Sequence, residues 1–131
     1  MKKNNNGFSL VELIIVIAIM AVLVGVLAPQ FIKYVEQSRR SRDIQTAQEV
    51  REAVLADIAD NKLSGSGTVT ATAGNPTTLG ESPEASRTDL KGSSFVATYD
   101  AVVGTCSVTV DGWTGSALTT EAGASAYKQA N

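Results

Sequence analysis

From Phe8 to Ala28 the chain runs for 21 residues, FSLVELIIVIAIMAVLVGVLA, with Glu12 as its one charge. A run that is apolar all round does not form one wet and one dry face, so it belongs in a core or a membrane. As a helix rising about 1.5 Å per residue it spans roughly 31 Å, the thickness of a bilayer's hydrocarbon core. One membrane span is the reading this forces. With 131 residues in all, the folded remainder is a single small domain.

Lys2 and Lys3 precede the run and no basic residue follows until Lys33, so the positive-inside bias predicts a short cytoplasmic N-terminus with everything beyond Ala28 outside. Two simpler readings compete. Val26-Leu27-Ala28 offers small residues at the spacing a signal peptidase cuts, although the run is longer than a usual signal core and Pro29 follows directly. A plain signal anchor explains the length but leaves Glu12 without a reason. A carboxylate in a membrane segment costs about 2.5 to 3.5 kcal/mol at the centre on insertion scales, less near an end, and usually carries a function.

The residues around Glu12 are more specific. Gly7-Phe8-Ser9-Leu10-Val11-Glu12, behind a short basic leader and ahead of an apolar span and Pro29, resembles the processing and methylation signature of the type IV pilin and pseudopilin family. The resemblance is close as far as Pro29 and one of character beyond it. It implies that a dedicated membrane enzyme, prepilin peptidase, cuts between Gly7 and Phe8 and methylates the new N-terminus at Phe8. It also implies that Glu12 pairs with the N-terminal amine of a neighbouring subunit in a helical polymer of identical or related pilins. Within one subunit those charges sit at i and i+4, about 6 Å apart along the helix. An unpaired carboxylate in a dry bundle is heavily penalised, which would hold each incoming subunit at one register. The positive end of the helix dipole is the structural alternative for Glu12.

The other partners the family implies are an inner-membrane assembly platform with its ATPase, and the lipid bilayer before assembly. The expected location is the cytoplasmic membrane, crossed once, and then an extracellular filament on the cell surface. Within the family a major pilin for adhesion or motility, a pseudopilin of type II secretion and a DNA-uptake subunit stay open. The rival of another class is a membrane-tethered extracellular binding domain that does not polymerise, and such a domain would be indifferent to Glu12.

Pro29 lacks an amide proton and its ring crowds the Gly25 carbonyl, so a kink or loosened turn is predicted around Gly25 to Pro29. In the family this region is described as partly melted, which makes Pro29 a second candidate assembly residue beside Glu12. From Gln30 onward Ile44, Ala47, Val50, Val54 and Ile58 recur at three- and four-residue steps, the stripe of an amphipathic helix. Arg39, Arg40, Arg42, Glu49, Arg51, Glu52 and Asp57 read mainly as its solvated face, with Glu36 four residues before Arg40 and Asp43 placed to meet neighbours. The Arg39 to Arg42 cluster has lipid headgroups or an adjacent subunit as alternative contacts. Phe8 to about Asn61 would form one helix of roughly 80 Å, unstable without partners on both halves.

Past Lys62 the composition turns to Ser, Thr, Gly and Ala, the clearest boundary in the chain. The expected organisation is a leader at 1–7, a membrane and filament-core helix at 8–28, its amphipathic half at 29–62 and a small β-rich extracellular head at 63–131. In the head a short strand is predicted at Thr68 to Ala73 and a helical turn from Ser82-Pro83-Glu84 to Gly92. Antiparallel strands are predicted at Ser94 to Val103, Cys106 to Asp111 and Trp113 to Leu118, with turns at Gly104-Thr105 and Asp111-Gly112. A sheet with one apolar face needs a cover, and the Ile44 to Ile58 stripe supplies it. The fold class is therefore α+β: a long N-terminal helix, transmembrane then amphipathic, packed on a small antiparallel sheet.

Composition removes most other functions. The formal net charge is -2, from 11 basic and 13 acidic side chains in no long single-sign run, so no nucleic-acid footprint is present. Losing Lys2 and Lys3 with the leader leaves 9 basic side chains against 13 acidic ones. There is no histidine, and Cys106 is the single cysteine, which removes Cys/His dyads, zinc clusters and an intramolecular disulfide. No base is placed to activate the many hydroxyls, so no catalytic residue, cofactor or metal is expected, and the chain reads as a substrate of enzymes. Asp100, Asp111 and Glu121 are available for calcium, as in some secretion pseudopilins, but follow no ligand spacing. Gram-negative adhesive members of the family often close the C-terminal region with a disulfide. Its absence here favours a pseudopilin, a Gram-positive pilin or a head steadied by its neighbours.

Overall fold

Helix α1 takes up Leu10–Ala59 in the computed structural model, which describes residues 7–130. The chain divides into two compact units, Met1–Val35 and Glu36–Asn131, and α1 contributes to both.

In the first unit the large apolar side chains from Phe8 to Tyr34 are at least half exposed, from 51% at Ile14 to 94% at Phe8. None of the most apolar stretch is buried, and the segment is long enough to cross a membrane. The expected kink is not a break: the helix is continuous through Pro29. What proline imposes there is a missing hydrogen bond, because the Gly25 carbonyl has no amide to accept.

In the second unit β1 (Ser66–Thr70), β2 (Phe95–Asp100) and β3 (Thr105–Val110) form an antiparallel sheet in that order. The register lines up Val69, Ala97 and Val108 across the three strands, with Gly67, Tyr99 and Cys106 beside them and Phe95 opposite Val110. Period-two alternation sends this set to one face, and Ala47, Val50 and Val54 of α1 join the same buried cluster. Ile44 and Ile58 pack at its edge. Helix on antiparallel sheet is the α+β arrangement expected from the pattern.

Several element boundaries differ from expectation. β2 stops at Asp100 because the next four residues turn: the Asp100 carboxylate accepts the Val102 and Val103 amides, and Gly104 adopts φ 76°, open to glycine at little cost. The first strand ends at Thr70. Ser82 does not cap a helix; its hydroxyl accepts the Ala73 amide instead, and only a 3-10 turn at Thr88–Leu90 forms. Residues 113–118 make no third hairpin strand. The Leu118 amide donates to Val108 at 2.8 Å, and Trp113 turns inward to meet Tyr127 edge-on at 5.1 Å.

A C-terminal helix, α2 (Glu121–Gln129), follows, beyond the last element that the sequence pattern predicts. Thr120 is its N-cap, accepting the Gly123 amide, and Glu121 sits in the first turn where a negative charge is favoured. Gly123 faces the backbone of Ser116 and Ala117, where an added Cβ would lie 1.9 Å from the Ala117 carbonyl oxygen. Gly123→Ala should therefore destabilise the second unit by about 1–3 kcal/mol. Denaturant unfolding of the full chain in detergent, followed by Trp113 fluorescence, measures this.

Candidate functional site

Two places carry functional geometry: the start of α1 and the band of charges along its second half. Gly7, Phe8 and Ser9 lie outside regular structure and α1 begins at Leu10. The Ser9 amide donates to Glu12 Oε2 at 2.9 Å and the Glu12 amide donates to Ser9 Oγ at 3.2 Å. This reciprocal pair is a capping box, and it satisfies amides that the first turn otherwise leaves bare. Glu12 thus points back along the helix toward Phe8 instead of sideways into lipid. A Cβ added at Gly7 would meet nothing within 4 Å, so the chain's own packing does not require glycine there.

Along the second half of α1, three carboxylates bind the loop between β1 and β2. Asp43 is buried and accepts the Ser86 amide at 2.6 Å, the Arg87 amide at 3.0 Å and the Tyr127 hydroxyl at 2.5 Å. Asp57, also buried, accepts the amide and hydroxyl of Thr77. Glu36 accepts the amide and hydroxyl of Thr88 and pairs with Arg40 at 3.5 Å.

Three cations close other gaps. Buried Arg87 lies between the Trp113 and Tyr127 rings, 5.1 and 4.9 Å from their centroids, and donates to the Tyr127 and Ala130 carbonyls. Its Nε is 2.6 Å from Asp89 but not directed along a hydrogen bond, so that contact is ionic. Arg40 donates to the Lys128 carbonyl at 2.7 Å, so two guanidiniums sit at the negative end of α2. Arg51 donates to the Cys106 carbonyl at 3.1 Å.

Comparison with known proteins bears on the first of these places. Residues 2–28 match the family model for the prokaryotic N-terminal methylation motif. The chain belongs to the type IV pilin and pseudopilin family. Over 65 residues it is 35% identical to a type IV major fimbrial protein FimA of Dichelobacter nodosus, covering 50% of this chain and 42% of that protein. Over 94 residues it is 32% identical to the prepilin peptidase-dependent protein A of Clostridium perfringens, covering 69% of this chain and 66% of the other. The chain thus spans less than half the length of the fimbrial relative. No solved structure matches it.

Several charges of this pilin-family chain sit elsewhere than the sequence suggests. Asp57, Arg40 and Arg51, expected on a solvated face, are drawn into the head, and Asp43 meets the loop and α2 rather than its helical neighbours. The signal was present in part, since Glu36, Asp43 and Asp57 are spaced by multiples of seven and so fall near the apolar stripe. Arg87 and Tyr127 carried no local signal, because their partners are distant in sequence. Asp100, Asp111 and Glu121 fall at the end of β2, in the turn after β3 and at the start of α2 respectively. No cluster of three metal-ligating side chains occurs among the described residues. Cys106 is buried on β3, and burial pushes its thiol up against the opposing pull of Arg51.

Burial works to raise the Asp57 and Glu36 carboxyls, yet the Thr77 and Thr88 hydrogen bonds outweigh it and hold both below the ordinary carboxylate values. Groups depressed on folding stabilise the fold above their unfolded pKa, near 4, and lose that contribution as pH falls through the folded value. Unfolding free energy should therefore be level from pH 7 to about 5 and fall below about 4, and Asp57→Asn should flatten the fall. Asp43→Ala strands two amides and the Tyr127 hydroxyl, so it should cost at least about 3 kcal/mol in denaturant unfolding.

Proposed function

We propose that this chain is a major structural subunit of a type IV pilus or a related extracellular filament. Prepilin peptidase cuts between Gly7 and Phe8, the amine freed on Phe8 is methylated, and the mature subunit assembles through α1. In this reading residues 1–7 are the leader, 8–28 the membrane and then filament-core segment, 29–62 the amphipathic half of the helix and 63–131 the extracellular head. The chain is the peptidase's substrate and needs no catalytic centre. Its other partners are further copies of itself or related pilins, the bilayer before assembly, and an inner-membrane platform with its ATPase.

The observation that carries the reading is Glu12 in the first turn of a helix whose apolar side chains are exposed all round. Glycine at position 7, which the chain's own packing does not need, fits recognition by an outside enzyme. Cleavage would set a cationic amine four residues before Glu12, and in a filament core that amine and a neighbour's carboxylate would neutralise one another. Removing one partner of a buried pair leaves the other charge uncompensated, at a cost of about 3–5 kcal/mol. Pro29 contributes the turn of α1 that is short of one hydrogen bond, and hence the point where the helix opens most easily under tension.

A pseudopilin of a secretion or DNA-uptake system is the second reading. The buried single Cys106 favours it, because the head lacks the disulfide common in adhesive members. In either case Glu12→Ala should insert, be processed and leave the head's unfolding midpoint unchanged, while shed filaments fall at least tenfold. Wild-type filament yield from that variant, counted by electron microscopy and immunoblot, would instead support a tethered domain or remove charge pairing as the register device.

A further inference from the structure

Nine charged side chains lie on α1 between Glu36 and Asp57. Six of them work inside the subunit: Glu36, Arg39, Arg40, Asp43, Arg51 and Asp57 all contact the head or one another. The three left over are Arg42, Glu49 and Glu52. All three are exposed, and none has an ion pair or side-chain hydrogen bond among the described residues. They do not pair on their own helix, where partners meet three or four residues apart and these opposite charges are separated by seven and ten.

We propose that these three charges, with Arg39, form the contact between copies of this chain: Arg42 of one subunit pairs with Glu52 of the next, and Arg39, whose side chain stays about half exposed (48%) beside its own contacts with Thr88 and Glu36, reaches Glu49. The inference rests on the filament reading above. In a polymer whose α1 helices run parallel, a neighbour displaced by ten residues, about 15 Å, brings both pairs together at once. The other two displacements, seven and thirteen, each match a single pair. With no displacement Arg42 faces Arg42 and the two glutamates face their own copies, so the wrong register is repelled.

The two patches differ in direction as well as sign. Ten residues turn an α-helix to a face about 80° away, so the basic patch of one copy meets the acidic patch of another. Such a contact is heterologous and propagates instead of closing on itself. Arg42 and Glu49 also line an open hollow of about 660 Å³ beside residues 78–86, which leaves them within reach of an incoming side chain.

The test uses full-length chains expressed with the assembly machinery in cells whose wild-type subunits form filaments. R42E and E52R alone should each cut filament yield about tenfold, with processing and the head's unfolding midpoint unchanged. Yield should return in the doubly reversed R42E/E52R chain, and also in cells co-expressing the two single variants, since each then meets its complement in the neighbour. Single variants that assemble like wild type would overturn the proposal. So would a deficit in R42E that neither form of charge swap relieves, the outcome expected if Arg42 serves lipid headgroups. If wild-type chains with verified N-terminal processing never form filaments, the polymer reading itself fails and this contact falls with it.

Discussion

Apolar side chains exposed on every side of a helix have no stable place in water, and the first half of α1 is built that way. Such a surface needs lipid or other apolar helices around it, and the proposed course from membrane to filament would supply both in turn. The single carboxylate in that surface matters for the same reason. A charge surrounded by hydrocarbon needs a partner, and the capping box gives the Glu12 carboxylate one within its own chain, the Ser9 amide, while the Ser9 hydroxyl accepts the Glu12 amide. That arrangement limits the cost of holding Glu12 in lipid and keeps it directed toward Phe8, where cleavage would create the opposite charge.

The head solves a different problem, which is to hold together with a small core and no disulfide. The long loop between β1 and β2 has little regular structure, so its amides need acceptors from elsewhere. Glu36, Asp43 and Asp57 provide them from α1, while Arg40 and Arg87 answer the carbonyls at the end of α2. Helix, loop and C-terminal helix are thus joined by charge-assisted hydrogen bonds around an apolar centre, a stronger kind of contact than exposed ion pairs.

What the sequence disclosed follows from the range of the interactions involved. The span from Phe8, the stripe from Ile44 to Ile58 and the alternation in β3 are periodic patterns set by local geometry, and the structure reproduces them. The head's finer shape depends on contacts between distant residues. Trp113 follows a turn and so fits a third strand by local pattern, yet it packs on Tyr127 and Arg87, fourteen and twenty-six residues away. Helix α2 has an N-cap at Thr120, but small residues and a glycine within it blur any apolar stripe. Asp57 looked like one more surface charge because nothing nearby announces that Thr77 will need an acceptor. At the front, the motif was legible as a resemblance, while the reciprocal Ser9–Glu12 bonding was readable in principle, as serine followed three residues later by glutamate.

In the proposed function the chain is cut and modified at the head of α1 before that helix assembles. Intact-mass and fragmentation measurement of the mature N-terminus, on chain recovered from membranes and from the cell surface, tests it most directly. The expected product begins at Phe8 and carries one added methyl group on its amine. A chain beginning at Met1, or at Pro29 after cleavage behind Ala28, would contradict it.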